Sequence, residues 1–157
     1  DRLADVPRLA RLLGRATGRA AAADSVADRF EREIDAVRVA TESPPSVFLL
    51  VWDEPLTTLG PGSFLSELVV LAGGRNAFAD LEAVSGPVSI EAVAVRDPHL
   101  VLVPSESARP FAPRAGWRVI PAMRAGRVLQ VTGTEYLRPS PRAPQAVRSL
   151  AARLAAR

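Results

Sequence analysis

Val26, Phe30, Ile34 and Val37 recur at spacings of four, four and three, the period of one helix face. They predict an amphipathic helix of about six turns, placed over about residues 18–41. A shorter helix carrying Leu9, Leu12 and Leu13 precedes it. The proline-rich TESPPS at 41–46 ends the helical run, because proline lacks an amide donor and disfavours helical torsions in the residue before it. The pattern then changes. SVFLLVW at 46–52 is a continuous apolar run, as expected of a parallel strand covered on both faces. The segment DEPLTTLGPG reads as a long loop, and SFLSELVVLAGG as a helix with an inward stripe of Phe64, Leu65, Leu68, Val69 and Leu71, with Gly73 supplying a left-handed C-terminal residue.

The same alternation continues to the end of the chain. In VSIEAVAVRDPHLVLV, at 88–103, Ser89 is read as a helix N-cap, Val88 and Val93 occupy the staple positions, and Asp97-Pro98 closes the helix before an apolar strand. WRVIPA at 117–122 and GRVLQVTG at 126–133 are further strand candidates. A last helix on Val147, Leu150, Ala151 and Leu154 is entered through RPSPRAPQ, with Pro141 or Pro144 as its first residue. Strands alternating with helices predict an α/β fold, a mainly parallel sheet flanked by helices and preceded by a long helix.

Composition narrows the function classes. The 157 residues are 48% apolar, enough for a real core, and the basic residues are all Arg. These 20 arginines are scattered among 17 acids without forming a stripe, which argues against nucleic-acid binding. No apolar run is long enough to span a bilayer, and the N-terminal stretch lacks the apolar core of a signal peptide. The chain starts at Asp1, so it is expected to be a processed chain or a piece of a longer one. With no cysteine there is neither disulfide nor thiolate metal site.

The candidate chemistry favours binding over catalysis. TLGPGSF follows a strand and opens a helix, a context in which backbone amides hold anions. However, the loop from Trp52 to Ser63 is too long for a dinucleotide turn, and no Gly-Lys-Ser/Thr follows. A phosphorylated-ligand site at GPGS, in an enzyme or regulatory domain, is kept as the alternative. His99 is the only histidine and has no second soft ligand, and Asp53-Glu54 are adjacent acids beside a turn-forming Pro55. No catalytic residue, metal ligand or cofactor site is assigned. Trp52 ends the first strand and Tyr136 follows a later one, so both fall at the carboxyl end of the sheet, where open α/β sheets bind ligands. Arg138 adds a guanidinium suited to carboxylate or phosphate groups. Both aromatics also suit the simpler role of covering the sheet end.

VWDEPLTTLGPGSFLSELVVLAGGRNAFADL, VSIEAVAVRDPHLVLVP, PAMRAGRVLQV and RPSPR together resemble the C-terminal lobe of the periplasmic cobalamin- and iron-siderophore-binding proteins of ABC importers. The resemblance covers residues 47–157. ADSVADRFEREIDAV resembles the rigid inter-lobe helix of that family, within a helical segment at 1–46. The resemblance implies a periplasmic protein or cell-surface lipoprotein of two α/β lobes that holds a corrinoid, haem or ferric chelate between them and delivers it to a membrane permease. Carried over by position, Trp52, Leu56, Tyr136 and Arg138 face the cleft, and Glu91 is the acid that docks on permease arginines. The resemblance also implies a missing N-terminal lobe. Where the family often has an aromatic-proline segment, this chain has AVSGP at 83–87. A stand-alone interaction lobe without transport function is the third reading. Glu91 has a local role as well, since a first-turn carboxylate gains about 0.3–1 kcal/mol from the helix dipole.

Overall fold

The computed structural model describes residues 2–106 and 111–156. Helices α1 (Asp5–Ala16) and α2 (Ala20–Val37) form an antiparallel pair. Strand β1 (Ser46–Leu49) follows, then the short strands β2 (Trp52–Asp53) and β3 (Leu56–Leu59). Helix α3 (Phe64–Leu71) leads to β4 (Arg75–Asn76) and β5 (Ser85–Pro87), and α4 (Ile90–Arg96) leads to β6 (Leu100–Ser105). A 3-10 turn (Ala115–Val119), α5 (Pro121–Arg124), β7 (Val128–Thr132), α6 (Thr134–Leu137) and α7 (Ala143–Ala155) complete the chain.

The central sheet has the order β4-β1-β6-β7 and is parallel throughout. Successive strand residues point to opposite faces, and both faces of the central strands are covered, which is why β1 and β6 carry the continuous apolar runs Val47–Leu49 and Leu100–Val103. Val47 and Leu49 of β1, Leu100 and Leu102 of β6, and Leu129 and Val131 of β7 pack under α2, α3 and α7. Phe48, Val101 and Val103 face the other way, onto Phe78, Val93, Trp117 and Ile120. The expected α/β architecture is therefore present. Ser89 accepts a hydrogen bond from the Ala92 amide at 3.1 Å, and Gly73 takes the left-handed torsion (φ +85°) that ends α3.

Several elements differ from the sequence reading. The long helix begins at Ala20 and ends at Val37, and it buries Ala27, Phe30, Ile34 and Val37. Val26 stays 45% exposed because the helix period puts Ala27, not Val26, on the core face. Helix α1 buries Pro7 and Gly14 and leaves Leu9, Leu12 and Leu13 outward. Its partner contact is a close one: a side chain at Gly14 would collide with the Cβ of Ala23. WRVIPA is not a strand. Trp117, Ile120 and Met123 are buried at intervals of three, the spacing of helical turns, and Pro121 opens a short helix where its missing amide donor costs nothing. The last helix starts at Ala143 with Pro144 in its first turn, and Pro141 lies before it. The segment read as a plain loop contains β2 and β3, which with β5 make a second, antiparallel sheet in the order β2-β3-β5.

Candidate binding cleft

Two polar side chains fasten the small sheet to the large one. Thr58, fully buried on β3, donates from Oγ1 to the Leu49 carbonyl at 2.8 Å. Asn76, 2% exposed on edge strand β4, donates from Nδ2 to the Leu59 carbonyl at 2.8 Å and to Ser66 Oγ at 3.0 Å, while its Oδ1 accepts from the Phe78 amide at 2.9 Å. Buried polar groups persist where they are fully hydrogen-bonded. Here their bonds hold β3 over the carboxyl end of β1.

The order β4-β1-β6-β7 sends the connection after β1 to one side and the later strands to the other. The sheet's switch point therefore lies between β1 and β6, where open α/β sheets form a crevice. A cavity of about 360 Å³ opens there. Val51 after β1, Pro104 at the end of β6 and Tyr136, Leu137 and Arg138 after β7 line it, with Val84 and Leu59 of the small-sheet region on the far wall. Its walls are mostly apolar, with a guanidinium at the rim. That combination suits a bulky, largely apolar ligand bearing anionic groups.

The structure brings two of the four expected contact residues into this cavity. Tyr136 is 6% exposed, on α6 with its side chain in the core, and Arg138 is exposed beside it with an ion pair to Glu106 at 3.6 Å. Trp52 stands outside the cavity on β2, 64% exposed, with its indole Nε1 donating to the Glu54 carbonyl at 2.8 Å. Leu56 is half-buried and packs toward Phe48 and its neighbours, on the other side of the sheet from Tyr136. Sequence reasoning missed Val84, Leu59 and Arg114. The β2-β3 hairpin was the missed signal, since Trp52 pairs with Thr57 across a two-residue turn. Glu91 lies in the first turn of α4, exposed, with no ion pair among the described residues. The GPGS segment turns its polar groups inward: Ser63 Oγ donates to the Gly60 carbonyl at 2.8 Å and accepts from the Ser66 amide at 3.3 Å. His99 is exposed at the opposite end of the sheet and offers its carbonyl to Arg127.

Charge pairs brace the periphery. Arg114 reaches Asp53 at 3.0 Å and Glu54 at 2.8 Å, and the hydrogen bond it donates to Glu54, followed by the field of Asp53, raises the guanidinium's pKa. Arg96 hydrogen-bonds Asp80 at 2.8 Å and lies over the Phe78 ring, and that hydrogen bond lowers the Asp80 pKa. On the helical pair, Arg11 joins Asp28 at 2.6 Å and Glu31 at 2.8 Å, which lowers the pKa of Glu31.

A family model described as periplasmic binding protein matches residues 3–133. The chain belongs to the periplasmic binding protein family. A vitamin B12-binding protein of Vibrio cholerae serotype O1 is 32% identical over 109 residues, covering 69% of this chain and 40% of that protein. A periplasmic heme-binding protein from Roseiflexus sp. RS-1, solved in its apo form, superimposes with a TM-score of 0.82 at 25% identity, over 98% of this chain and 63% of that one. The periplasmic vitamin B12-binding protein of Vibrio cholerae shares the fold with a TM-score of 0.71 at 23% identity, over 99% of this chain and 62% of its own. All three are binding proteins. The chain spans less than half the length of the curated relatives it matches.

Proposed function

We propose that the chain is one lobe, with its connecting helix, of a periplasmic substrate-binding component of an ABC importer for a corrinoid, haem or ferric-siderophore complex. The supporting observation is the match, within the periplasmic binding protein family, to relatives named for vitamin B12 and heme. The cavity between β1 and β6 fits that reading in kind: apolar walls, Tyr136 at its floor and Arg138 at its rim. Trp52, outside the cavity on β2, adds an exposed indole on the small-sheet side.

The second half of the cleft comes from an N-terminal lobe. Leu9, Leu12 and Leu13 are 48%, 52% and 63% exposed on one side of α1, and an apolar stripe of that kind asks for a covering partner. With half of the cleft, the chain alone buries less ligand surface to offset the entropic cost of association, so it binds more weakly than the two-lobed protein. Glu91 docks the lobe on arginines of the membrane permease. Ser89 already caps α4, so the exposed carboxylate is not needed to satisfy the helix end.

Titration with cyanocobalamin, haemin and a ferric hydroxamate, followed by quenching of tryptophan fluorescence, tests the reading. Saturable quenching by one of them is expected, tighter when the preceding coding sequence is included. No saturable change with any of the three, in either form, overturns it. For docking, Glu91→Ala is expected to leave the melting temperature unchanged and impair uptake by the intact importer.

A further inference from the structure

Trp52 is held unlike a core aromatic. Its ring is 64% exposed, so packing does not set its position. Its strand is two residues long and, among the described residues, pairs with β3 alone. Its one hydrogen bond runs to the carbonyl of Glu54, at the tip of the same hairpin. The orientation of the indole therefore follows the hairpin tip, and whatever fixes the tip fixes Trp52.

Among the described residues, Arg114 is the side chain that reaches the tip's carboxylates from elsewhere in the fold. Its guanidinium touches two adjacent carboxylates, Asp53 at the end of β2 and Glu54 in the turn itself, from a segment 60 residues away in sequence. That segment is itself anchored on either side. The Phe111 amide donates to Gln130 Oε1 of β7 at 2.8 Å, the Phe111 ring packs on Trp117 at 5.7 Å, and Trp117 is buried in the core. Arg114 thus ties a thin, solvent-facing hairpin to a rooted loop.

The geometry points to Arg114 as a positioning residue: by clamping Asp53 and Glu54 it holds the β2-β3 hairpin so that Trp52 stands ready at the rim of the cleft. This rests on the proposed binding function for its consequence, and on the structure alone for the clamp. An exposed pair of this kind contributes little to folding, so its effect is on where the indole sits. High salt weakens the clamp by screening.

Fluorine NMR of the 5-fluorotryptophan-labelled chain separates the two parts, with the Trp52 resonance assigned by Trp52→Phe. Arg114→Gln is expected to shift and broaden the Trp52 resonance at low salt. It is also expected to weaken binding of the best ligand among cyanocobalamin, haemin and a ferric hydroxamate by about fivefold, a difference that shrinks at high salt. Arg114→Lys should restore part of both, and Arg118→Gln, an exposed arginine on the same segment, should change neither. An unchanged Trp52 resonance in Arg114→Gln overturns the clamp, whatever happens to binding. A shifted resonance with unchanged affinity overturns the positioning role. If the wild-type chain binds none of the ligands, the proposed function falls, while the resonance still decides the clamp.

Discussion

The two sheets of this protein are built on different physics. The parallel sheet is held by apolar burial on both faces, and its strands contribute Phe48, Leu49, Leu100, Leu102 and Val131 at almost complete burial. The antiparallel sheet beside it has half-exposed strands, and side-chain polar contacts help to locate it: Thr58 to the Leu49 carbonyl, Asn76 to the Leu59 carbonyl, and Arg114 to the hairpin tip. Burial is non-directional and scales with area, so it makes a stable platform. Hydrogen bonds and ion pairs are directional and net little stability, so they place a surface without making it rigid. The proposed binding function draws on both, a stable platform and a rim that can be aimed.

That contrast breaks first where the platform is cut. Phe48→Ala removes a fully buried ring packed 5.7 Å from Phe78 and is expected to cost about 3–5 kcal/mol in denaturant unfolding. Asn76→Ala acts at the joint between the sheets. It leaves the Leu59 carbonyl and the Phe78 amide without their partner, at about 2–3 kcal/mol, and calorimetry should show a lower melting temperature. Thr58→Val keeps the shape and deletes one bond, costing about 1 kcal/mol in the same assay. On the rim, Trp52→Ala should change stability by less than about 0.5 kcal/mol while weakening ligand binding measured by calorimetry, and a large stability loss there would erase the distinction between the sheets.

An acid titration sharpens the comparison further. Asp80 has its pKa lowered by Arg96, so its contribution is present above the ordinary carboxyl pKa and is lost as pH falls through the lowered folded value. Asp80→Asn should therefore lower stability slightly at neutral pH, where the ionised pair contributes, and flatten the acid limb so that the two proteins converge at low pH. Equal acid sensitivity in the two proteins would show that the pair with Arg96 does not form in solution.

The platform was legible in the sequence because its signals are local and periodic. SVFLLVW and HLVLVP show continuous apolar runs, and the caps at Ser89 and Gly73 follow from residue chemistry within a turn. The rim was not. Strands of two and three residues carry no period to detect, and the partners that place them lie far along the chain, as Arg114 does from Glu54. WRVIPA misled for a related reason, since branched and aromatic residues at intervals of three serve a turn as well as a strand. Among the site residues, Tyr136 and Arg138 fell into the cavity because both follow β7 directly. Trp52 and Leu56 depend on a hairpin that only the folded chain reveals.

The central claim is that ligand enters between β1 and β6, under the rim that Trp52 and Arg138 frame. Amide NMR of the chain titrated with a ferric hydroxamate tests it most directly, because the paramagnetic iron broadens nearby signals. The account predicts selective broadening at Val51–Leu56, Val84 and Leu137–Arg138, with α1 and α2 unaffected. Broadening concentrated along α1 and α3, around the groove of about 860 Å³ that Leu3, Pro7, Phe30 and Val70 line, would contradict it.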